Sequence, residues 1–126
     1  MIGYVTLGSN DIPKAAAFYD ELLAAFGAKR IMEDDHMVAW SPSPETPALS
    51  VIKPFDSNDA CIGNGNMVAL ILGTNEKVDA LHAKAMELGG ADEGTPGPRG
   101  DGGFYAGYFR DLDGNKLCAF CFTKAG

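Results

Sequence analysis

Displaced by 63 positions, the sequence lies on itself without a gap. Tyr4-Val5-Thr6-Leu7 falls on Met67-Val68-Ala69-Leu70, Asp11 on Thr74, Phe18 on Leu81, Leu22 on Ala85, Gly27 on Gly90 and Ala28 on Ala91. A fixed period of this length means that one structural module is built twice. The chain must therefore fold as two copies of a unit of about sixty residues, and whatever pattern one copy shows constrains the other.

In the first copy, Ile2 to Leu7 is rich in β-branched and aromatic residues and ends in Gly8-Ser9-Asn10, which reads as a strand. A helix follows. Asn10 or Asp11 can accept from a free N–H at its start, Pro13 suits its first turn, and Gly27 can take the left-handed conformation that ends it. Ile12, Ala15, Tyr19, Leu22, Leu23 and Phe26 recur at three- and four-residue spacing and form its buried face. Three shorter strands are predicted next, over Ala28 to Glu33, Met37 to Ser41 and Ala48 to Lys53. The second copy repeats the order, with a strand from Met67 to Leu72 and a helix from about Asn75 to Leu88 bearing Val78, Leu81, Ala85 and Leu88. Its last two strands, about Tyr105 to Arg110 and Lys116 to Phe122, flank an Asp113-Gly114 pair that marks a hairpin turn.

Each copy is thus β-α-β-β-β. Module 1 spans about residues 1–54, a polar linker 55–65, and module 2 about 66–124, within a single domain. A unit of this size cannot cover both faces of its sheet alone, so the copies are expected to pack together or to exchange across a homodimer. The expected fold is α+β: a curved, mixed eight-stranded sheet with helices outside and a concave pocket inside.

Composition narrows the partners. The chain has 126 residues, 46% hydrophobic and 21% charged, as an ordinary globular protein does. Its net charge of -7 repels phosphate backbones and anionic lipid, which argues against nucleic acid and membrane and leaves small molecules. No apolar run approaches the roughly 18 residues needed to span a bilayer, and Met1 leads into a strand instead of a signal sequence, so a cytoplasmic location is expected. Cys61, Cys118 and Cys121 are an odd number in a chain that needs no staples, and reduced thiols are the expectation.

Val5-Thr6-Leu7-Gly8, Asn10-Asp11-Ile12, Ala17-Phe18-Tyr19, Met67-Val68-Ala69-Leu70 and Phe109-Arg110-Asp111-Leu112-Asp113-Gly114-Asn115 together resemble the vicinal-oxygen-chelate superfamily, that of glyoxalases, bleomycin resistance proteins and extradiol dioxygenases. The last segment is similar to that family's Phe-x-Asp-Pro-Asp-Gly-Asn hairpin, with Leu112 in place of the proline. The resemblance covers nearly the whole chain and implies paired β-α-β-β-β modules. It also implies a divalent metal bound by His or Glu from the first and last strands of each module. Those positions fall on Tyr4, Ser50, Met67 and Cys118, which offer a phenol, a hydroxyl, a thioether and a thiol in place of imidazole and carboxylate. No metal and no other cofactor is therefore expected.

Other motifs fail on geometry. Cys118-Ala119-Phe120-Cys121 has redox or zinc spacing, but strand residues three apart point to opposite faces. Met67 and Cys118 alone are too few soft donors for Cu(I). His36, in an acidic turn, and His82, beside the stripe of the second helix, read as partly solvated structural residues, and two separated histidines make no catalytic triad. The stretch from Gly94 to Gly103 opens no helix and is no phosphate loop; it reads as a mobile Gly/Pro segment. Asp111-x-Asp113-x-Asn115 starts like a calcium loop but has Lys116 where Gly is needed and Phe122 where Glu is needed.

Alternation places Tyr4 and Thr6 inward on the first strand, and Cys118, Phe120 and Phe122 on the face opposite Leu117, Ala119 and Cys121. The expected ligand pocket comprises Tyr4, Thr6, Trp40, Ser50, Lys53, Met67, Arg99, Tyr108, Cys118 and Phe120, with Arg99 or Lys53 placed to meet an anionic group. The leading expectation is a metal-independent protein that binds a small organic molecule, similar to the antibiotic-binding branch of the superfamily. The alternatives are an enzyme of lactoylglutathione-lyase or dioxygenase type, with a displaced metal site or a metal-free mechanism, and a dimeric interaction module.

Overall fold

A computed structural model describes residues 1–123; Lys124, at the expected end of module 2, lies outside them. Its contacts divide the chain into two compact units, Met1–Ile62 and Gly63–Gly126. The eight strands hydrogen-bond as two four-stranded sheets, one per unit.

In module 1, β1 (Tyr4–Gly8) leads through α1 (Ile12–Leu22) and a turn of 3₁₀ helix to β2 (Lys29–Glu33), β3 (Met37–Ser41) and β4 (Ala48–Ile52). The order is β1-β4-β3-β2, with β1 parallel to β4 and the other pairs antiparallel. The helix is the crossover that a parallel pair requires. Module 2 repeats this with β5 (Val68–Ile71), α2 (Asn75–Glu87), β6 (Ala91–Pro98), β7 (Phe104–Arg110) and β8 (Lys116–Phe122), in the order β5-β8-β7-β6. Every expected strand and helix is present, with ends moved by a residue or two. No helix among the described residues is long and apolar enough to cross a membrane.

The repeat shows in the caps. Asp11 accepts from the Lys14 N–H and Thr74 from the Lys77 N–H, so the two residues that align under the 63-residue shift do the same work. The helix ends differ. Gly27 closes the 3₁₀ turn that follows α1 at φ 70°, whereas in module 2 Gly89, not Gly90, takes the left-handed turn after α2 at φ 99°. Gly90 serves close approach instead: a Cβ there would sit 2.7 Å from the Arg110 carbonyl oxygen.

One face of each sheet lies under its helix. In module 1, Leu7, Val38, Trp40, Leu49 and Val51 are buried with Ile12, Ala15, Phe18, Tyr19 and Leu22 of α1. Burying such side chains contributes roughly 1.5–3 kcal/mol each before chain entropy is counted. In module 2, Val78, Leu81 and Ala85 of α2 are buried with Phe109, Leu117 and Ala119. Two expected stripe residues, Phe26 and Leu88, sit half-buried at the helix ends.

The Gly/Pro segment is a correction. Its first half is β6, paired with β7 through irregular register between Asp92 and Gly97, and the backbone N–H of Arg99 still donates to the Phe104 carbonyl at 2.7 Å. Bulges accommodate glycine and proline in a strand, which is why composition alone suggested a loop.

Candidate functional site

Residues paired across a sheet share a face, so register decides what each module presents opposite its helix. In module 2 the pairs Ala69↔Cys118 and Tyr108↔Cys118, Ile71↔Phe120 and Ala106↔Phe120, Phe104↔Phe122 and Arg110↔Lys116 define this open face. Leu117, Ala119 and Cys121 take the other one. Cys118 and Cys121 are both free, and their thiols belong to opposite faces as strand geometry requires. Cys121 is tied on the helix side, its Sγ 3.1 Å from Asn75 Oδ1.

Tyr108 is the centre of the open face. The Arg99 guanidinium carbon and Lys116 Nζ each lie 5.5 Å from its ring centroid, within the range of a cation–π contact. Arg99 is held in place by its own strand: Nη1 donates to the Gly97 carbonyl at 2.9 Å and Nη2 to the Thr95 carbonyl at 2.7 Å. Cys118 is 1% exposed. Burial pushes its thiol pKa up, against a hydrogen bond from Tyr108 and the charges of Arg99 and Lys116, which pull it down. The net direction is up, so the cations do not make this cysteine a thiolate at neutral pH. Beyond it, Phe104 and Phe120 stack at 5.5 Å, and Phe122 meets them at 5.4 and 5.9 Å.

Module 1 presents less. Tyr4, Thr6 and Ser50 share its open face through the Tyr4↔Ala48 and Thr6↔Ser50 pairs. Tyr4 is 65% exposed, and the buried Ser50 hydroxyl donates to the Val5 carbonyl at 2.8 Å. Trp40 is a correction. It pairs with Leu49 on the face under α1, and it is 2% exposed. Its indole N–H donates to Asp20 at 2.8 Å, and its ring lies 5.6 Å from that of Tyr19. Asp20 in turn takes two hydrogen bonds from Arg30, which hold its carboxyl below the usual range against the opposing effect of burial.

Lys53 is exposed and lines a recess of about 660 Å³ with Ser9, His36, Ile52, Phe55 and Asp59, at the ends of β1 and β4. It belongs to that recess in module 1, whereas Arg99 stands at Tyr108 in module 2. Asn10, which also lines the recess, is joined to Ala60 by two hydrogen bonds, at 3.0 and 2.6 Å. His82 is a further correction, since it is buried: Nε2 lies 3.0 Å from Asp92 and 3.2 Å from the Tyr108 carbonyl. It ties α2 to β6 and β7 and leaves the open face alone.

The structure brings Arg99, Tyr108, Cys118 and Phe120 together. Met67 lies just before β5 and is 43% exposed. Lys116, Phe104 and Phe122 were not in the predicted pocket, although the alternation that selects Cys118 and Phe120 selects Lys116 and Phe122 as well. For a divalent metal the four expected positions do not fit. In module 1 they offer an exposed phenol and a hydroxyl already donating to backbone; in module 2, a thioether and a thiol held protonated by burial. Among the described residues no three His, Cys, Asp or Glu side chains gather where they could hold a metal ion.

A family model for the Glyoxalase/Bleomycin resistance protein/Dioxygenase superfamily matches residues 1–119. The chain belongs to this superfamily. Among solved structures, a glyoxalase/bleomycin resistance protein from Albidiferax ferrireducens T118 is similar at 32% identity and TM-score 0.86, over 96% of this chain and 98% of that one. Two functionally named superfamily folds are more distant. A lactoylglutathione lyase from Agrobacterium tumefaciens is 20% identical at TM-score 0.72, covering 96% and 92% of the two chains. A genomically encoded fosfomycin resistance protein from Listeria monocytogenes is 21% identical at TM-score 0.73, covering 98% and 94%. At those identities the likeness is one of fold. No match is found among curated proteins.

Proposed function

We propose that this superfamily member binds a small organic molecule on the open face of module 2 and does so without a divalent metal. The observation that carries the reading is the meeting of Arg99 and Lys116 at the Tyr108 ring, beside Cys118 and next to a partly exposed phenylalanine cluster. Aromatic surface with a few convergent polar groups is the usual makeup of a small-molecule site. The donor set at Tyr4, Ser50, Met67 and Cys118 argues against inheriting a metal-dependent lyase or dioxygenase reaction.

Homodimerisation and a cytoplasmic location belong to the same reading. Tyr4, Ile31 and Met32 in module 1 are large apolar side chains left exposed, which a second copy would cover. Three free cysteines suit a reducing compartment. The test is a fragment screen on protein dialysed against EDTA, followed in ¹⁵N–¹H spectra. Hits are expected to move the amides of Tyr108, Cys118 and Phe120. Hits that appear only after Ni, Zn, Mn or Fe is added, or a screen that never touches this face, would overturn the proposal, and turnover of a glutathione hemithioacetal or catechol would favour the enzyme reading.

A further inference from the structure

We infer that the open face of module 2 selects an aromatic molecule with one anionic group, its charge between Arg99 and Lys116 and its rings along Phe120, Phe104 and Phe122. The inference rests on the small-molecule reading above and names the ligand class of that site.

The chain has 17 acidic residues against 10 lysines and arginines, so a cation can readily find a carboxylate. Arg30 and Arg110 do, with Asp20 and Glu93 at 2.7 and 2.6 Å. Arg99 and Lys116 have no carboxylate within 4.0 Å among the described residues, although both are half-buried and both stand 5.5 Å from one ring. A tyrosine face offsets partial desolvation of a cation only weakly, and backbone carbonyls carry no full charge, so an arriving anion meets two cations without a counter-charge. The guanidinium is also fixed in orientation by the Thr95 and Gly97 carbonyls, which lowers the entropy cost of using it.

Spacing supplies the second half. Side chains on one face of a strand recur about every 6.8 Å. One step along β7 and β8 from the Tyr108↔Cys118 pair stands Ala106↔Phe120, and a second step reaches Phe104↔Phe122. Ala106 contributes only a methyl group, so the surface between the cations and the phenylalanines stays low. Phe122 is 66% exposed, and Phe104 and Phe120 are half-buried, leaving ring surface available for stacking. A ligand that uses both features places its charge and its nearest ring on neighbouring steps, within roughly 7 Å of each other.

The test titrates the ¹⁵N-labelled full chain with 2-naphthoate, 2-naphthyl phosphate, the neutral 2-naphthylmethanol, acetate and inorganic phosphate. Naphthoate or naphthyl phosphate is expected to move the Tyr108, Cys118 and Phe120 amides at least about tenfold more tightly than naphthylmethanol. The two anions compared with each other tell a carboxylate site from a phosphate site. Lys116→Gln, on a side chain with no structural hydrogen bond among those described, is expected to lower the naphthoate affinity toward that of naphthylmethanol and to leave naphthylmethanol unchanged. Equal binding of the neutral and charged compounds at this face overturns the charge selection while the small-molecule reading stands. Acetate or inorganic phosphate binding as tightly as their naphthyl counterparts overturns the aromatic half. Other fragments binding at this face while all naphthyl compounds fail overturns the inference alone; no fragment binding there overturns both readings.

Discussion

Replacing Trp40 by Phe separates a core residue from a ligand-contacting one. The indole is 2% exposed and donates at 2.8 Å to Asp20, which also accepts from Arg30 at 2.9 and 2.7 Å. A hydrogen bond to a charged acceptor contributes about 1.5–3 kcal/mol. Asp20 is 41% exposed and keeps its arginine, so the loss here should sit at or below the lower end, near 1–1.5 kcal/mol. The smaller ring also leaves a void beside Tyr19. Full truncation of a buried Trp costs about 3–5 kcal/mol, and losing one of its two rings should cost roughly 1–1.5. Together the variant should lose about 2–3 kcal/mol, and at a urea slope of about 1–3 kcal/mol per molar the midpoint should fall by roughly 1–2 M. Far-UV circular dichroism is the assay, because Trp40 is the chain's one tryptophan and fluorescence would lose its probe. A loss below about 0.5 kcal/mol, joined to weaker ligand binding, would refute the reasoning and return Trp40 to the pocket.

Acid should find the same cluster. Arg30 holds the Asp20 carboxyl low, so its stabilising effect is present above the ordinary carboxylate range and is lost as pH falls through the lower folded value; Asp20→Asn should flatten that part of the stability curve below about pH 4, and an unchanged acid limb would count against the pairing. Alkylation mapped by mass spectrometry should modify exposed Cys61 first, with Cys118 and Cys121 slower by about a hundredfold or more until the chain unfolds. Fast labelling of Cys118 at neutral pH would contradict the raised thiol.

Much of this architecture was legible because the repeat supplied two readings of one pattern. Asp11 and Thr74 align by sequence and both cap helices, and the alternation that put Cys118 opposite Cys121 is what register shows. Trp40 was misplaced because β3 is Met37-Val38-Ala39-Trp40-Ser41, where four successive apolar residues give alternation nothing to choose between. Composition places Arg99 in a mobile segment. Its segment is a bulged strand anchored by backbone carbonyls, and bulges leave no periodic signal. Lys116 breaks the calcium-loop pattern, and its partner across the hairpin, Arg110, fixes its face. His82 was expected to be partly solvated because a helix stripe does not reveal Asp92 and a strand carbonyl waiting on the neighbouring sheet.

The central claim, a superfamily scaffold whose recognition face does not depend on a divalent metal, is most directly tested by calorimetric titration of EDTA-treated protein with Ni, Zn, Mn and Fe salts, repeated on Cys118→Ser. The account predicts no stoichiometric binding tighter than about 100 μM for any of the four ions, with the same small heats in the variant. Stoichiometric binding in the wild type that Cys118→Ser abolishes would contradict it.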